Sequence, residues 1–310
     1  MTFSPAPPFA GFGGFTYTPA MPREEGVTRR DPSPVVAVAD TFYVWYSRTT
    51  SGPDGYSASV WWASSTDGHT WVEGGEALGR GSVGAFDEHA VFTPTILVSE
   101  GQYYLVYTAV PEPFTNDGGR PGGTRTAIGV AVAHSPAGPW VRLGNGPVVG
   151  PGDDPEDFDS HRVDDACLLV REGKYWLYYK GRQMGRTPGE TRMGLAIAES
   201  PIGPYAKWEG NPVLDSGHEV CVWPHGPGVA CLVSSTGPQG NTLQYSDDGL
   251  HFRRCVDAPA PKAPGPYRAD HFREGVGPGI TWGLCQHLDP KWPYLERFDC
   301  DLRYAGERIG

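Results

Sequence analysis

The sequence predicts an all-β chain folded as a five-bladed β-propeller, on three observations. Glycine (43) and proline (31) are dense in the 310 residues, and no helical stripe of apolar residues runs beyond a turn or two. Tyr (15), Phe (12) and Trp (10) far outnumber Met (4), so aromatic rings must fill much of the interior. Paired strand motifs also recur along the chain in a fixed order. A β-sandwich, the structural alternative, does not explain that order.

The first half of the repeat is a lead-in, a short turn and an aromatic-rich strand. It reads DPSPVVAVADTFYVWYS (31–47), FTPTILVSEGQYYLVYT (92–108), DDACLLVREGKYWLYYK (164–180) and HEVCVWPHGPGVACLVS (218–234), with HFREGVGPGITWGLC (271–285) as a degenerate fifth copy. The second half is a strand followed by Ser-x-x-Gly and an aromatic: VWWASSTDGHTW (60–71), GVAVAHSPAGPW (129–140), GLAIAESPIGPY (194–205) and TLQYSDDGLHF (242–252). YLERFDCDL (294–302) would be its last copy, without the turn. Glycine supplies φ > 0 in such a turn and serine bonds the local backbone. Each unit thus offers about four short strands, the content of one propeller blade. Residues 1–28, rich in Pro and Gly, read as an N-terminal extension on the outside or a rim, and 29–305 as the propeller. Two interruptions, 111–126 and 146–160, read as loops over one face.

Charge and cysteine usage narrow the partners. With 25 basic and 36 acidic residues the net charge is −11, which disfavours nucleic acid and favours solubility. The six cysteines are widely spaced, with no CxxC and no metal-ligand spacing, so buried free thiols are expected. No stretch approaches the length of a membrane span, so no membrane partner is expected. MTFSPAPPFAGFGGF lacks the basic start and apolar core of a signal peptide, which predicts a cytoplasmic location. GPGDDPEDFDSH (150–161) fits a solvated acidic loop better than a cation site. No cofactor is expected, although the sequence leaves open a metal ion on the propeller axis.

The carboxylates keep one phase within the repeat. Asp31 opens the first unit, Phe92-Thr93 the second, Asp164-Asp165 the third and His218-Glu219 the fourth. In a propeller these positions converge on one axial opening. A single such acid would only bond backbone N–H groups at a strand start. Three in phase, with His218 beside them, point to a site. Because side chains alternate along a strand, only a bulge or an irregular start would aim both members of a pair at one ligand. Carboxylates in distinct environments suit glycoside cleavage, where one group gives a proton and another activates water. Trp45, Trp62 and Trp223 are candidates to stack on a sugar, against the simpler reading that they are core.

RRDPS (29–33), FTPTIL (92–97), FDSHRVDDACL (158–168), YYKG (178–181), SGHEVCVWP (216–224) and NTLQYSDDG (241–249) resemble glycoside hydrolase family 117. WGLC and RFDCD near the C-terminus extend the likeness over nearly the whole chain, from about 29 to 302. The resemblance implies kinship with family 43, a five-bladed propeller and an exo-acting, inverting enzyme. It implies release of α-1,3-linked 3,6-anhydro-L-galactose from the non-reducing end of small oligosaccharides. Asp31 then resembles the general base and Asp165 the carboxylate supporting the transition state. Glu219 matches the acid of family 43, while His218 matches the proton donor proposed in family 117. Arg30, Thr93, His161, Asp164, Lys180 and Trp223 are the expected substrate contacts. An inverting pair would stand about 6.5–9.5 Å apart, leaving room for water.

Two departures from the family pattern are visible. Val163, Asp164, Asp165, Ala166 and Cys167 stand where V-H-D-P-C is usual, and no helical S-x-A-x-x-R segment for dimer exchange precedes the repeats. A homodimer stays open. The rival readings are a family 43-type enzyme of other specificity, such as an arabinofuranosidase, and a non-catalytic sugar-binding propeller.

Overall fold

The computed structural model describes residues 8–9, 11–115, 123–219, 221–234, 236–304 and 306. Residues 1–7 and 10 of the expected extension, 116–122 of the interruption at 111–126, Val220 and residue 305 lie outside the described residues. Among those described, the regular structure is β-strand apart from one 3₁₀ turn at Pro188–Glu190. None of them forms a helix long and apolar enough to cross a membrane. The all-β expectation holds.

The strands form antiparallel sheets in chain order. The first holds Thr28–Arg30, Val36–Val38, Thr41–Thr49, Ser59–Ser65 and Val72–Leu78. The second holds Ala90–Ser99, Gln102–Val110, Ala127–Ala133 and Val141–Arg142. The third holds Arg162–Arg171, Lys174–Arg182, Arg192–Ala198 and Ala206–Lys207. The eight remaining strands share one sheet in two halves. Cys221–Gly226, Gly228–Val233, Thr242–Ser246 and Arg253–Asp257 make one half, and Gly265–Pro266, Gly277–His287, Tyr294–Arg303 and Thr16–Met21 the other. The halves join where His225 and Gly226 pair with Pro278 and Gly277. Thr16–Met21, inside the N-terminal segment, is the outer strand of the last half and pairs with Tyr294–Arg303.

The core lies between successive sheets. Trp45 and Val60 of the first sheet meet Ile96 and Leu105 of the second and Leu177 of the third. Trp176 and Leu195 of the third meet Val222 and Cys231 of the next half-sheet. Trp223 and Leu232 pack with Ile280 and Phe298 of the last half. Trp282 and Leu295 of that half then return to Val44 and Tyr46 of the first sheet. This stacking explains why second strands such as TFYVWYSRT are buried on both faces.

Sequence and structure differ over the last unit. Its leading strand is Gly265–Pro266, which pairs with Leu284 and Gly283. The repeat placed at 271–285 is therefore out of phase. Prolines at 259, 261, 264 and 266 disguise the true start as a loop.

A buried tyrosine fixes the same place in each of the first three sheets. The hydroxyl of Tyr46 donates to Glu73 at 2.6 Å, that of Tyr107 to Asp87 at 2.9 Å, and that of Tyr179 to Asp159 at 2.7 Å. A cation closes each clip: Arg29 on Glu73, Arg142 on Asp87 and Lys207 on Asp159. Tyr107 and Tyr179 lie against Gly129 and Gly194, their partners on the next strand. A Cβ on Gly194 would stand 2.5 Å from the Phe158 ring and 2.6 Å from that of Tyr179. Gly194→Ala should therefore lower the unfolding free energy by about 1–3 kcal/mol in urea denaturation. Gly150→Ala, whose Cβ meets only Pro147 at 3.9 Å, should leave it nearly unchanged. Equal effects would refute this view of the tyrosine clip.

Candidate active site

Each sheet delivers its polar residues through one backbone device. Asp31, Thr93, Asp165 and Glu219 all have left-handed φ, at 49°, 43°, 49° and 56°, and Ala263 joins them at 46°. Such φ values cost non-glycine residues roughly 1–2 kcal/mol each, and β-branched Thr93 is a true outlier. In the second and third sheets the ladder shifts there, between Phe92 and Thr95 and between Asp164 and Cys167. Each bulge sets two residues against one and breaks the side-chain alternation. Neighbours such as Asp164 and Asp165 can then face the same ligand.

The second strand of each sheet supports the bulge. Arg30 lies opposite Ser47, Phe92 opposite Thr108, and Asp164 opposite Lys180. The Ser47 hydroxyl donates to Asp31 at 3.2 Å and accepts the Thr93 N–H at 2.8 Å, stitching the first sheet to the second. Thr108 repeats the role, accepting the Asp165 N–H at 3.3 Å. Ser234 donates to the His218 carbonyl at 2.5 Å. Ser47, Thr108 and Lys180 directly follow the clip tyrosines Tyr46, Tyr107 and Tyr179, so alternation sends tyrosine to one face and its successor to the other.

Asp31, Thr93, Asp165 and Glu219 line two spaces. One, the polar pocket, holds about 710 Å³ of open space, and Arg30, Tyr56, Phe114, Lys180 and His218 also line it. The other, of about 540 Å³ of open space, is also lined by Thr95, Cys167, Cys221 and Arg268. Tyr56 and Phe114 stack at 4.0 Å on one wall, and the Arg162 guanidinium lies 4.0 Å from the Phe114 ring.

The buried charges respond to one another. Burial pushes the Asp31 carboxyl up, and Asp165 and Glu219 add to this against Arg30, whose Nε is 3.6 Å away. Burial would lower Lys180, but Asp164 at 3.1 Å and Asp165, also in contact, hold it as ammonium. One ammonium cannot offset two carboxylates, and burial raises Asp164. Burial would also raise Glu219. His218 Nε2 at 3.5 Å and the Lys262 ammonium on the same oxygen overcome it and hold Glu219 below the usual carboxylate range.

The structure thus gathers Arg30, Asp31, Thr93, Asp164, Asp165, Lys180, His218 and Glu219 around one pocket. It does not bring Trp223 there. That ring is 1% exposed between the halves of the last sheet, because Trp223 follows the bulge far enough to point into the inter-sheet core. Trp45 is fully buried too, and Trp62 packs on the same core. His161 is also fully buried, its backbone N–H bonded to the Arg182 carbonyl at 2.9 Å, and does not line the pocket. Lys262, Tyr56 and Phe114 were missed. Lys262 precedes Ala263 as His218 precedes Glu219, a phase hidden by the misplaced fifth repeat. Tyr56 and Phe114 sit in irregular loops with no periodic signal.

All six cysteines are free, and Cys167 and Cys221 line the second space. No cluster of three or more His, Cys, Asp or Glu side chains suited to a metal occurs among the described residues. In the acidic loop, Asp159 is bound by Tyr179 and Lys207.

Known proteins share this architecture. The glycosyl hydrolases family 43 model matches residues 27–183. Zg3597, a family 117 glycoside hydrolase from the marine bacterium Zobellia galactanivorans, superposes with a TM-score of 0.84 at 34% identity, over 94% of this chain and 91% of that one. The catalytic domain of a Coprinopsis cinerea GH62 α-L-arabinofuranosidase gives 0.66 at 12% identity, over 94% and 98%. Fructan 1-exohydrolase IIa from Cichorium intybus gives 0.61 at 14%, over 91% and 56%. At those identities the last two share the fold alone. No curated protein matches the chain. Identity of this extent with a family 117 enzyme, over nearly all of both chains, means that this chain belongs to glycoside hydrolase family 117, a relative of family 43, and acts on O-glycosyl bonds.

Proposed function

We propose that the chain is an exo-acting, inverting glycosidase on a five-bladed β-propeller, releasing a terminal α-linked 3,6-anhydro-L-galactose or a closely related sugar. Counting the last sheet as two blades, together with five in-phase residues of left-handed φ, supports that blade count. Beyond the expected 29–305, the propeller also takes in Thr16–Met21, which completes its last blade from the N-terminal segment. An oligosaccharide is the substrate, with its terminal residue in the polar pocket.

One observation carries the mechanism: Asp31 and Glu219 share the pocket, yet their surroundings drive them apart. A carboxyl raised toward the working pH is the better general base, which suits Asp31. Glu219, held ionised, has no proton to give. His218 takes the donor role in this reading, with its Nε2 3.5 Å from Glu219 and its Nδ1 3.3 Å from the Pro188 carbonyl. Water attacks the anomeric carbon as Asp31 takes its proton. The glycosidic bond breaks, its electron pair stays on the leaving oxygen, and that oxygen takes the His218 proton. Asp165, tied to Lys180, sets negative charge beside the developing oxocarbenium ion.

Asp31→Asn should lower kcat/KM on α-1,3-linked 3,6-anhydro-L-galactose oligosaccharides by about 10²–10⁴-fold. Early NMR spectra of the wild-type reaction should show a released sugar of inverted anomeric configuration. A retained anomer, or release of pentoses in place of anhydrogalactose, would overturn the assignment. Ligand binding without product would favour a sugar-binding protein.

The same substitution should affect stability in the opposite sense. A raised folded pKa gives stability that is present below the ordinary Asp value of about 3.9 and is lost as pH rises through the raised value. Ionised Asp31 is therefore a burden at neutral pH. Asp31→Asn should raise Tm at pH 7 by about 2–4 °C, with no gain below about pH 4. A lower Tm at pH 7 would show that the Asp31 charge supports the fold.

A further inference from the structure

We propose that Lys262 is a positioning residue that keeps Glu219 a carboxylate facing His218, and so directs proton delivery through the imidazole. The proposal deepens the mechanism above and rests on it for the role of His218. Its basis is geometric. Residues preceding the left-handed positions are Arg30, Phe92, Asp164, His218 and Lys262, one from each repeat. Lys262 completes this ring from the last half-sheet, whose own left-handed position is Ala263.

The contacts fix its target. The Lys262 ammonium and His218 Nε2 meet the same Glu219 oxygen, Oε1. The Glu219 side chain is 6% exposed and that of Lys262 25%. The Lys262 backbone is anchored as well, its carbonyl accepting the Gln286 N–H at 2.9 Å. Prolines on both sides, Pro261 and Pro264, limit how far it can swing.

The other charged groups felt by Glu219 do not substitute for it. Arg30 leans on Asp31 at 3.6 Å, and its Nη1 bonds the Asp54 carbonyl. Lys180 is engaged by Asp164 and Asp165. Asp31, itself close enough to feel Glu219, opposes its ionisation. Burial also favours the neutral acid, so the Lys262 charge and the His218 contact must outweigh both. Without Lys262, Glu219 and His218 would compete for one proton. Glu219 could then act as the acid, as its counterpart does in family 43.

Infrared titration of the full chain tests this without substrate. The probe is the C=O band of a protonated carboxyl, assigned to Glu219 by its loss in Glu219→Gln. In the wild type the band should stay absent at the ordinary Glu value of about pH 4.3. In Lys262→Met it should appear with a midpoint at least about one pH unit higher than in the wild type, a tenfold change in proton affinity. Lys262→Arg, which keeps the charge, should titrate as the wild type does. Should Lys262→Met not fold, Lys262→Gln takes its place. Equal midpoints in the wild type and the neutral variant would overturn the proposal. A wild-type chain that cleaves no glycoside would overturn the mechanism instead, and the infrared midpoints would still decide the role of Lys262 at Glu219.

Discussion

The site depends on a backbone constraint: a residue of left-handed φ at the head of the leading strand of each repeat. In a regular strand, adjacent side chains point to opposite faces, and Asp164 and Asp165 would be divided between axis and core. Four polar residues and Ala263 hold this conformation against its cost, which the surrounding ladder must offset. The stitching bonds from Ser47 and Thr108 show how. Each hydroxyl takes up an N–H that the bulge has released from its own ladder. Backbone strain and the convergence of charge are thus one feature of the fold.

Charge balance within the pocket is equally local. The chain carries a large negative net charge, yet its buried acids are met individually by Arg30, Lys180 and Lys262. Each pairing differs in closeness and number, so chemically similar carboxyls acquire distinct tasks. Asp31 is weakly paired and raised, whereas Glu219 is doubly contacted and lowered. Enzymes that move protons need such separation, since a donor and an acceptor with equal proton affinity would exchange roles. The cations behind the carboxylates therefore matter as much as the carboxylates.

The clip tyrosines connect this chemistry to folding. Tyr46, Tyr107 and Tyr179 lock the second strand against its own sheet through a buried acid and a cation. The next residue on each strand reaches the site. A slip of one residue would exchange the two faces and place a tyrosine where Ser47, Thr108 or Lys180 belongs. The rigid packing of glycine beneath two of these rings leaves little room for such a slip.

Much of this was legible in the sequence, because it was written as repetition. The aromatic strands, the Ser-x-x-Gly turns and the phase of Asp31, Asp165 and Glu219 are local patterns. Ser65 does accept the Gly68 N–H at 2.8 Å, as that motif requires. The all-β class and the grouping of the acids could be read from residue order for this reason. Lys262 could not, since prolines masked the strand it precedes. Nor could the burial of Trp223 and His161, because exposure depends on which sheet covers a residue. Sequence by itself determined which residue types recur at the strand heads. Only the tertiary structure decided which cation faces which carboxylate: Lys180 reaches Asp164 and Asp165 across a strand pair, and Lys262 reaches Glu219 only when the two halves of the last sheet come together.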